Sequence, residues 1–554
     1  MMNLAEYLDQ YRSRSDQVLY TQWAGEGWKD YTAAEMLALA ARWQQAFRAH
    51  GFQQGERIAL CLKNGIHWVA ADLAALGMGL VVVPLYVNDN AENIAWCSNH
   101  AEARLLVLEN DRMVNTLRSV SASLPLVVCL EGGAEKGVEN LDTWLPEATQ
   151  PFQVVDLAPN TLATICYTSG TTGRPKGAML SHGNIMSNVE ACLKVVSLFD
   201  SDVMLSIIPL SHMFERTAGY YLPLKRGIRV AYCRSIQQLA EDLATIRPTL
   251  LLAVPRVYER FLARIDQSLA GSRLKRALFD RTVELGWKRY RKQVGPLERL
   301  QYAVLKRLVA DKIMARLGGR LRLSVVGGAA VELRIAKTFV GLGLNMIQGY
   351  GLTEASPVVT ANRENDNDPT SAGKPLEGVE VRVNENRELL VRGPNVMLGY
   401  WRDPEATAAV IDQDGWLNTG DQVEIRDGRV YIIGRTKEIV VLSNGEKFPP
   451  EHVEAAILND PVFEQVALVG EGRPFIVMIA VTQESDEKKL IKRANEQLRD
   501  FPRYIRVRRV IIEREPWTIE NGVLTPTMKL KRREILRRYR DQIEQAYSAH
   551  RLGE

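Results

Sequence analysis

Between Thr32 and Leu108 the chain alternates between two hydrophobic periods, and that alternation limits the fold more than any other feature. Thr32-Ala33-Ala34-Glu35 has the spacing of a capping box, and Met36, Ala40, Trp43 and Phe47 then recur at helical spacing until Gly51. Arg57 to Leu62 reads as a strand, Trp68 to Leu76 as a helix and Leu80 to Val83 as a strand. A helix at Ala91 to Asn99 and a strand at Arg104 to Leu108 follow. Strands and helices taking turns over short connections predict a parallel sheet covered by helices on both faces. The rhythm returns at Val203 to Ile208, Ile228 to Tyr232 and Thr249 to Ala253, so two α/β lobes are expected. Both fit within 554 residues, too many for one hydrophobic core.

Other segments break the rhythm. Arg256 to Arg316 is charged and helix-favouring, and in isolation reads as an exposed helical hairpin. Short strands at Val379 to Val383, Glu388 to Arg392, Val423 to Ile425 and Val430 to Ile433 predict a small antiparallel unit. From Thr436 a compact α+β module is expected, with strands near Val466 to Val469 and Phe475 to Val481.

Apolar residues make up 46% and charged residues 25%, an ordinary globular balance, and a net charge of +4 does not by itself imply nucleic acid. Positive charge crowds the C-terminal end, from Arg503 through Lys531, Arg533 and Arg540. It reads equally as a solvated helix face or as a cradle for a polyanionic cofactor or membrane surface. Cys61, Cys97, Cys129, Cys166, Cys192 and Cys233 form no Cys-x-x-Cys pair and read as reduced cytoplasmic thiols. The first residues lack the apolar stretch of a signal peptide. Trp68 to Val87 is apolar enough to suggest a membrane span, but Asp72 would cost roughly 2.5–3.5 kcal/mol there. A core helix running into a buried strand is expected, in a soluble protein.

The chemistry concentrates in four places. Tyr167-Thr168-Ser169-Gly170-Thr171-Thr172-Gly173-Arg174-Pro175-Lys176-Gly177 follows the apolar run Leu162 to Cys166 and precedes a helical pattern from Asn184. Glycines that let backbone N–H groups approach an anion, hydroxyl donors and a lysine together suit a phosphate-wrapping loop between strand and helix. A P-loop would require Gly-Lys-Ser/Thr, which Pro175-Lys176-Gly177 does not supply. Gly349-Tyr350-Gly351-Leu352-Thr353-Glu354 follows the strand-like Asn345 to Ile347 and offers a ring, a hydroxyl and a carboxylate. Thr419-Gly420-Asp421 places a carboxylate on a tight turn, ahead of Gly434-Arg435-Thr436-Lys437. Glu520 to Lys529, through Thr525-Pro526-Thr527, places a lysine just ahead of the basic run, where a solvated charge is the plain alternative.

Together these motifs resemble the adenylate-forming superfamily, which contains acyl-CoA synthetases, luciferases and peptide-synthetase adenylation domains. The opening Pro248-Thr249 to Arg260 resembles its long-chain fatty acyl-CoA synthetase branch. The resemblance covers nearly the whole chain. It implies a large N-terminal domain, residues 1–435, of two doubly wound α/β lobes plus a small β-barrel-like subdomain. A smaller, mobile α+β domain, residues 436–554, would carry the catalytic lysine.

The resemblance also implies roles for named residues. Thr168 to Gly173 and Lys176 would hold phosphates. Gly328 and Ala329 of Val325-Val326-Gly327-Gly328-Ala329-Ala330, with Gln348, Gly349, Tyr350 and Gly351, would border adenine. Thr353 would contact the α-phosphate, and Glu354 with Thr168 would ligate magnesium. Asp421 and Arg435 would hold the ribose. His212 of Ser211-His212-Met213-Phe214-Glu215, by itself more often structural than catalytic, would lie near the carboxylate. Lys529 would bridge the carboxylate and the α-phosphate, Lys437 would be the hinge, and Gly445 would border the thiol tunnel. The implied reaction is ATP- and Mg²⁺-dependent activation of a fatty acid as acyl-adenylate, then transfer to coenzyme A. Alternatives are a carrier protein as acceptor, medium-chain or aromatic acids, a non-catalytic acyl-nucleotide sensor, and a basic membrane-surface protein. A cytoplasmic location, peripheral contact at the inner membrane surface and a homodimer are compatible with it.

Overall fold

The computed structural model describes residues 2–121, 123–132, 137–168, 174–499, 501–519, 521–525 and 529–551. Two large sheets dominate. One has eight strands in the order Gly399–Tyr400, Lys176–Ser181, Leu162–Thr168, Val81–Pro84, Arg57–Cys61, Ala103–Asn110, Leu126–Glu131 and Val138–Asn140. From Leu162–Thr168 to Val138–Asn140 it is parallel, and its two strands at the other edge are antiparallel. The second has nine strands, with a parallel centre of Asn345–Gly351, Leu323–Val326, Leu250–Ala253, Val203–Ser206 and Arg229–Tyr232. The predicted alternation is therefore present in both lobes. One element of the second lobe is remote in sequence: Val18–Trp23 pairs in parallel with Arg229–Tyr232 and carries the hairpin partner Trp28–Thr32.

The helix Ile66–Gly77 explains how the lobes join. Almost every side chain along it is buried, the mark of a helix enclosed on all sides. Asp72 sits at its centre and is fully buried with Arg216, from the π-helical turn Glu215–Tyr221. Arg216 donates to Asp72 and to the Thr164 hydroxyl (2.7 Å), while the Tyr220 and Tyr221 hydroxyls donate to the second carboxylate oxygen (3.0 and 2.8 Å). Burial pushes the Asp72 carboxyl up and the Arg216 guanidinium pulls it back. Because arginine keeps its proton and three donors serve one carboxylate, the pair is ionic.

Several elements depart from the sequence reading. The stretch after Leu162–Thr168 leads to a second strand, Lys176–Ser181, and only then to the helix His182–Leu193. The glycine- and hydroxyl-rich segment thus joins two antiparallel strands, and residues 169–173 lie outside the described residues. The strand Asn345–Gly351 runs through Gly349-Tyr350-Gly351 instead of stopping before it, and Leu417–Arg426 runs through Thr419-Gly420-Asp421. Asp421 therefore lies within an irregular strand and not on a tight turn. Gly420 has φ +70° and the register slips just beyond, between Gln422 and Val423. Local patterns miss this because glycine lowers the strand signal where a ladder tolerates it. Residues 255–315 form three helices, Pro255–Leu269, Arg273–Tyr290 and a continuous run from Pro296 to Ala315, not an exposed hairpin. Gly286 meets Gly341 backbone to backbone, so a Cβ on Gly286 would lie 1.8 Å from the Gly341 carbonyl oxygen.

The β unit is a four-stranded antiparallel sheet of Glu380–Val383, Glu388–Arg392, Leu417–Arg426 and Arg429–Arg435. Beyond it, Gln465–Val469, Ile476–Val481 and Val507–Glu513 form a three-stranded sheet with helices on it and two apolar clusters of its own. Arg532 ties this unit internally through a salt bridge to the buried Glu454 (2.6 Å).

Removing one partner of a buried pair strands the other charge. Asp72→Asn is expected to destabilise the protein by about 3–5 kcal/mol, read as a fall in Tm. Asp72→Leu combined with Arg216→Met is expected to recover part of that loss.

Candidate active site

A cavity of about 550 Å³ opens where the strands Leu162–Thr168, Leu323–Val326 and Asn345–Gly351 end, the place where open α/β sheets present ligands. Its polar end gathers residues from several remote motifs. The Tyr350 hydroxyl donates to Asp421 Oδ2 (2.5 Å), and Arg435 Nε lies 3.2 Å from Asp421 Oδ1. Burial pushes the Asp421 carboxyl up, while the Arg435 guanidinium, the Tyr350 hydrogen bond and the Lys529 ammonium hold it down. Glu354, in the turn Thr353–Ala355, accepts a hydrogen bond from the Tyr400 hydroxyl (2.9 Å). Lys176 begins its strand with Nζ 5.2 Å from the centre of the Tyr400 ring, a cation–π contact. Thr168 ends the preceding strand, its hydroxyl 3.4 Å from the Lys176 carbonyl.

Glycine is required in the Tyr350 motif. A Cβ on Gly351 would fall 1.9 Å from the Pro357 carbonyl oxygen, so no side chain fits where the strand turns into the Thr353–Ala355 segment. Gly327 packs against Phe214, whose ring lies 3.1 Å from where its Cβ would be, and Gly328 has φ +83°. Phe214 and His212 therefore border the cavity together. His212 Nδ1 accepts from the Phe214 N–H (3.2 Å), which leaves Nε2 carrying the proton. Burial, aided by Lys529, lowers His212 to about 4, so the ring is neutral at pH 7.

Lys529 is exposed on the cavity wall, and its charge is felt by both His212 and Asp421. Its backbone is clasped by Thr525: the Lys529 N–H donates to the Thr525 hydroxyl (3.0 Å), and the Thr525 N–H donates to the Lys529 carbonyl (2.8 Å). From this polar end the cavity continues beside the strands to Leu250 and Leu323, past Val195, Leu198, Met204 and Leu222. Leu323 to Gly327 alone spans about 13 Å. This part of the wall is hydrocarbon.

Of the residues singled out in the sequence, Thr168, Lys176, His212, Gly328, Gly349, Tyr350, Gly351, Thr353, Glu354, Arg435 and Lys529 border the cavity. Asp421 reaches it through Tyr350 and Arg435. Gln348 does not join them. Its side chain accepts from the Val331 N–H (3.0 Å) and donates to the Pro369 carbonyl, so it braces the neighbouring turn. Ala329 is exposed beside Gly328 without lining the cavity. Gly445, with φ +83°, turns the hairpin between Val440–Val441 and Lys447–Phe448 and does not line it either. Lys437 falls in the turn Thr436–Glu438, and its side chain lies outside the described residues, as do Ser169, Gly170, Thr171, Thr172 and Gly173.

The sequence reading missed Tyr400, which arrives through a two-residue strand paired with Lys176–Ser181. It also missed Glu438 and Glu451, which border the cavity near Arg435. Among the described residues no three His, Cys, Asp or Glu side chains cluster as a metal cage. Glu354 and Thr168 both border the cavity, and one carboxylate with one hydroxyl is the kind of lining that fits Mg²⁺ held mainly through phosphates and water.

The AMP-binding enzyme family matches residues 9–401, and the AMP-binding enzyme C-terminal domain matches residues 437–551. Among curated proteins, "Long-chain-fatty-acid--CoA ligase FadD15" of Mycobacterium bovis is 30% identical, over 97% of this chain and 95% of its own. Human "Long-chain-fatty-acid--CoA ligase 1" is 31% identical, over 89% of this chain and 78% of its own. The adenylation domain of carboxylic acid reductase from Segniliparus rugosus, solved with AMP and a carboxylic acid, has the same fold. Its TM-score is 0.77 at 22% identity, over 99% of this chain and 94% of that one.

Glu215 lies next to Phe214, fully buried, and among the described residues its oxygens find no hydrogen-bond partner. Burial raises it from 4.5 to about 8. A carboxyl whose folded pKa is raised adds stability that is complete below 4.5 and is lost as pH rises through 8. Glu215→Gln removes that loss. Its stability relative to the wild type, followed by Tm, is expected to rise steadily from pH 5 to pH 8, by at most about 1.4 kcal/mol per pH unit. A flat difference would show an ionised Glu215.

Proposed function

We propose that this chain, which belongs to the AMP-binding enzyme family, is an AMP-forming ligase that activates long-chain fatty acids and passes the acyl group to coenzyme A. The observation that carries this reading is one continuous cavity. It has a polar end bordered by Tyr350, Arg435 and Lys529, with Asp421 bonded to Tyr350 and Arg435 behind them, and a hydrocarbon wall running down to Leu323. The names of the relatives that match along the chain's length support the same substrate class.

The residues divide the work as follows. The Tyr350 ring would stack on adenine, and Asp421 with Arg435 would take the ribose hydroxyls. Thr353 would donate to the α-phosphate. Glu354 and Thr168 would hold magnesium, which when bound offsets phosphate charge. In the first step a carboxylate oxygen attacks the α-phosphorus of ATP, a P–O bond to pyrophosphate breaks, and an acyl-adenylate forms. No protein atom needs to be bonded, so placement and charge dominate. The Lys529 ammonium faces the centre where negative charge grows, and the neutral His212 borders the acid without repelling Lys529. In the second step the coenzyme A thiol attacks the acyl carbon and AMP leaves.

Lys529 faces the cavity while Gly445 lies away from it, the arrangement expected for the first step. We place the hinge at the turn Thr436–Glu438, with residues 1–435 and 436–554 as the two bodies. Rotation there would withdraw Lys529 and bring in the Gly445 hairpin to border the thiol's path. A cytoplasmic location with peripheral membrane contact fits a water-insoluble substrate, and no helix among the described residues is long and apolar enough to cross a membrane. A homodimer is compatible with the fold.

A carboxylic-acid panel in an ATP- and coenzyme-A-dependent AMP-release assay tests the reading. With about 0.8 kcal/mol per buried methylene, kcat/KM is expected to rise about threefold to fourfold per carbon until the channel is filled. A maximum at an aromatic or short acid would refute it. Release with holo-carrier protein but not with coenzyme A would identify the other acceptor, which the chloroplast relative "Long-chain-fatty-acid--[acyl-carrier-protein] ligase AEE15" from Arabidopsis thaliana, 27% identical, keeps in view. Lys529→Ala is expected to cut carboxylate-dependent ATP–pyrophosphate exchange by about 100-fold or more. It should still convert supplied acyl-adenylate to thioester, and equal loss of both half-reactions would rule out the exchange of faces.

A further inference from the structure

The helix Pro296–Leu305 continues without a break through Lys306–Ala310 into Asp311–Ala315. One side of it is committed to the protein: Tyr302 and Leu305 are buried, and the Tyr302 hydroxyl donates to the Gly341 carbonyl (3.0 Å). The opposite side carries Leu297, Leu300, Val304 and Leu308, three or four residues apart on one face, and they are 79%, 65%, 53% and 54% exposed. Single exposed leucines are ordinary, but a stripe of four along one helix is not.

The charge around the stripe has one sign. Residues 255–320 hold seventeen Lys and Arg against six Asp and Glu, an excess of eleven in a chain whose total is +4. The two acids nearest the stripe are already occupied, Glu298 by Lys288 (3.0 Å) and Asp311 by Lys306 (2.5 Å). Arg291, Lys292, Arg299, Arg307, Lys312 and Arg316 are exposed, and among the described residues none of them forms a salt bridge.

From this arrangement we infer that the outward face of residues 296–315 docks on an anionic lipid bilayer. The leucine stripe enters the headgroup boundary, and the surrounding cations lie against lipid phosphates. Both signals of interfacial binding are present on one element, apolar area and attraction to negative lipid. A second copy of the chain is a poorer occupant, because a twofold contact through this face would set its cations against their own images. The inference rests on the proposed use of long-chain acids, since such a substrate is delivered from a bilayer.

Co-sedimentation of the full-length protein with vesicles tests it, using phosphatidylcholine alone and phosphatidylcholine with phosphatidylglycerol. The wild type is expected to partition onto the anionic vesicles only. Leu297→Gln with Leu300→Gln and Val304→Gln is expected to lower that partition about 100-fold, and Arg299→Glu with Arg307→Glu about tenfold or more. These side chains point away from the core, and AMP release with a water-soluble medium-chain acid should be unchanged in both variants. Equal binding by wild type and variants would overturn the inference, as would a wild type that ignores both vesicles. So would light scattering that shows a dimer converted to monomer by the leucine substitutions. Sedimentation needs no turnover, so failure of every acid in the AMP-release assay would refute the proposed activity and leave this result to stand separately.

Discussion

The active site depends on a salt bridge that no substrate touches. Asp72 and Arg216 meet in the fully buried interior, where two charges are tolerated only because each is fully served: the carboxylate by Arg216 and two tyrosine hydroxyls, the guanidinium by Thr164, Tyr221 and the Trp68 face 5.3 Å away. The partners come from three elements, one helix and one strand of the eight-stranded lobe and one turn adjoining the nine-stranded lobe. Each continues into the cavity wall. Thr164 lies four residues before Thr168 on one strand, and Arg216 follows His212 by one turn, its N–H bonded to the His212 carbonyl. A rigid floor is thereby shared by the residues that would grip phosphate and acid.

Above that floor the site is assembled from strand ends, and its charge distribution is uneven. Carboxylates line the Tyr350–Asp421–Arg435 side, and cations approach from Lys176 and Lys529. The hydrocarbon part begins where the strands run back into the sheet, so a molecule with an ionised head and an apolar tail has a single orientation open to it. Lys529 comes from beyond the three-stranded sheet, and among the described residues its backbone bonds to the hydroxyl and the N–H of Thr525. Its position is thus set by how the C-terminal unit sits on the large one.

Much of this is legible in the sequence. The helical and strand periods between Thr32 and Leu108 correspond to observed elements within a residue or two, and the capping box at Thr32 and Glu35 is formed on both sides. Those signals are local, and local physics sets them. What was not legible depends on partners far away in the chain. No pattern near Lys176 reveals that it starts a strand beside Tyr400, because that register is set by residues more than two hundred positions apart. Asp72 read correctly as too costly for a lipid interior, but the arginine that compensates it lies in another motif. Gln348 sits beside Gly349 and still turns away, because the Val331 N–H and the Pro369 carbonyl hold its amide. The basic tail is not wholly a free surface, since Arg532 is bound internally to Glu454 and Arg509 to Glu487.

The pairing of Val18–Trp23 with Arg229–Tyr232 has a consequence for biosynthesis. A ribosome adding about 5–20 residues per second releases the first strand roughly 10–40 s before its neighbour emerges. Throughout that interval the nascent amino-terminal ribbon has its own hairpin mate but no permanent edge to rest on. The nine-stranded sheet therefore holds a strand made long before its neighbour, and nascent-chain chaperones would meet Val18–Trp23 while that side is still open.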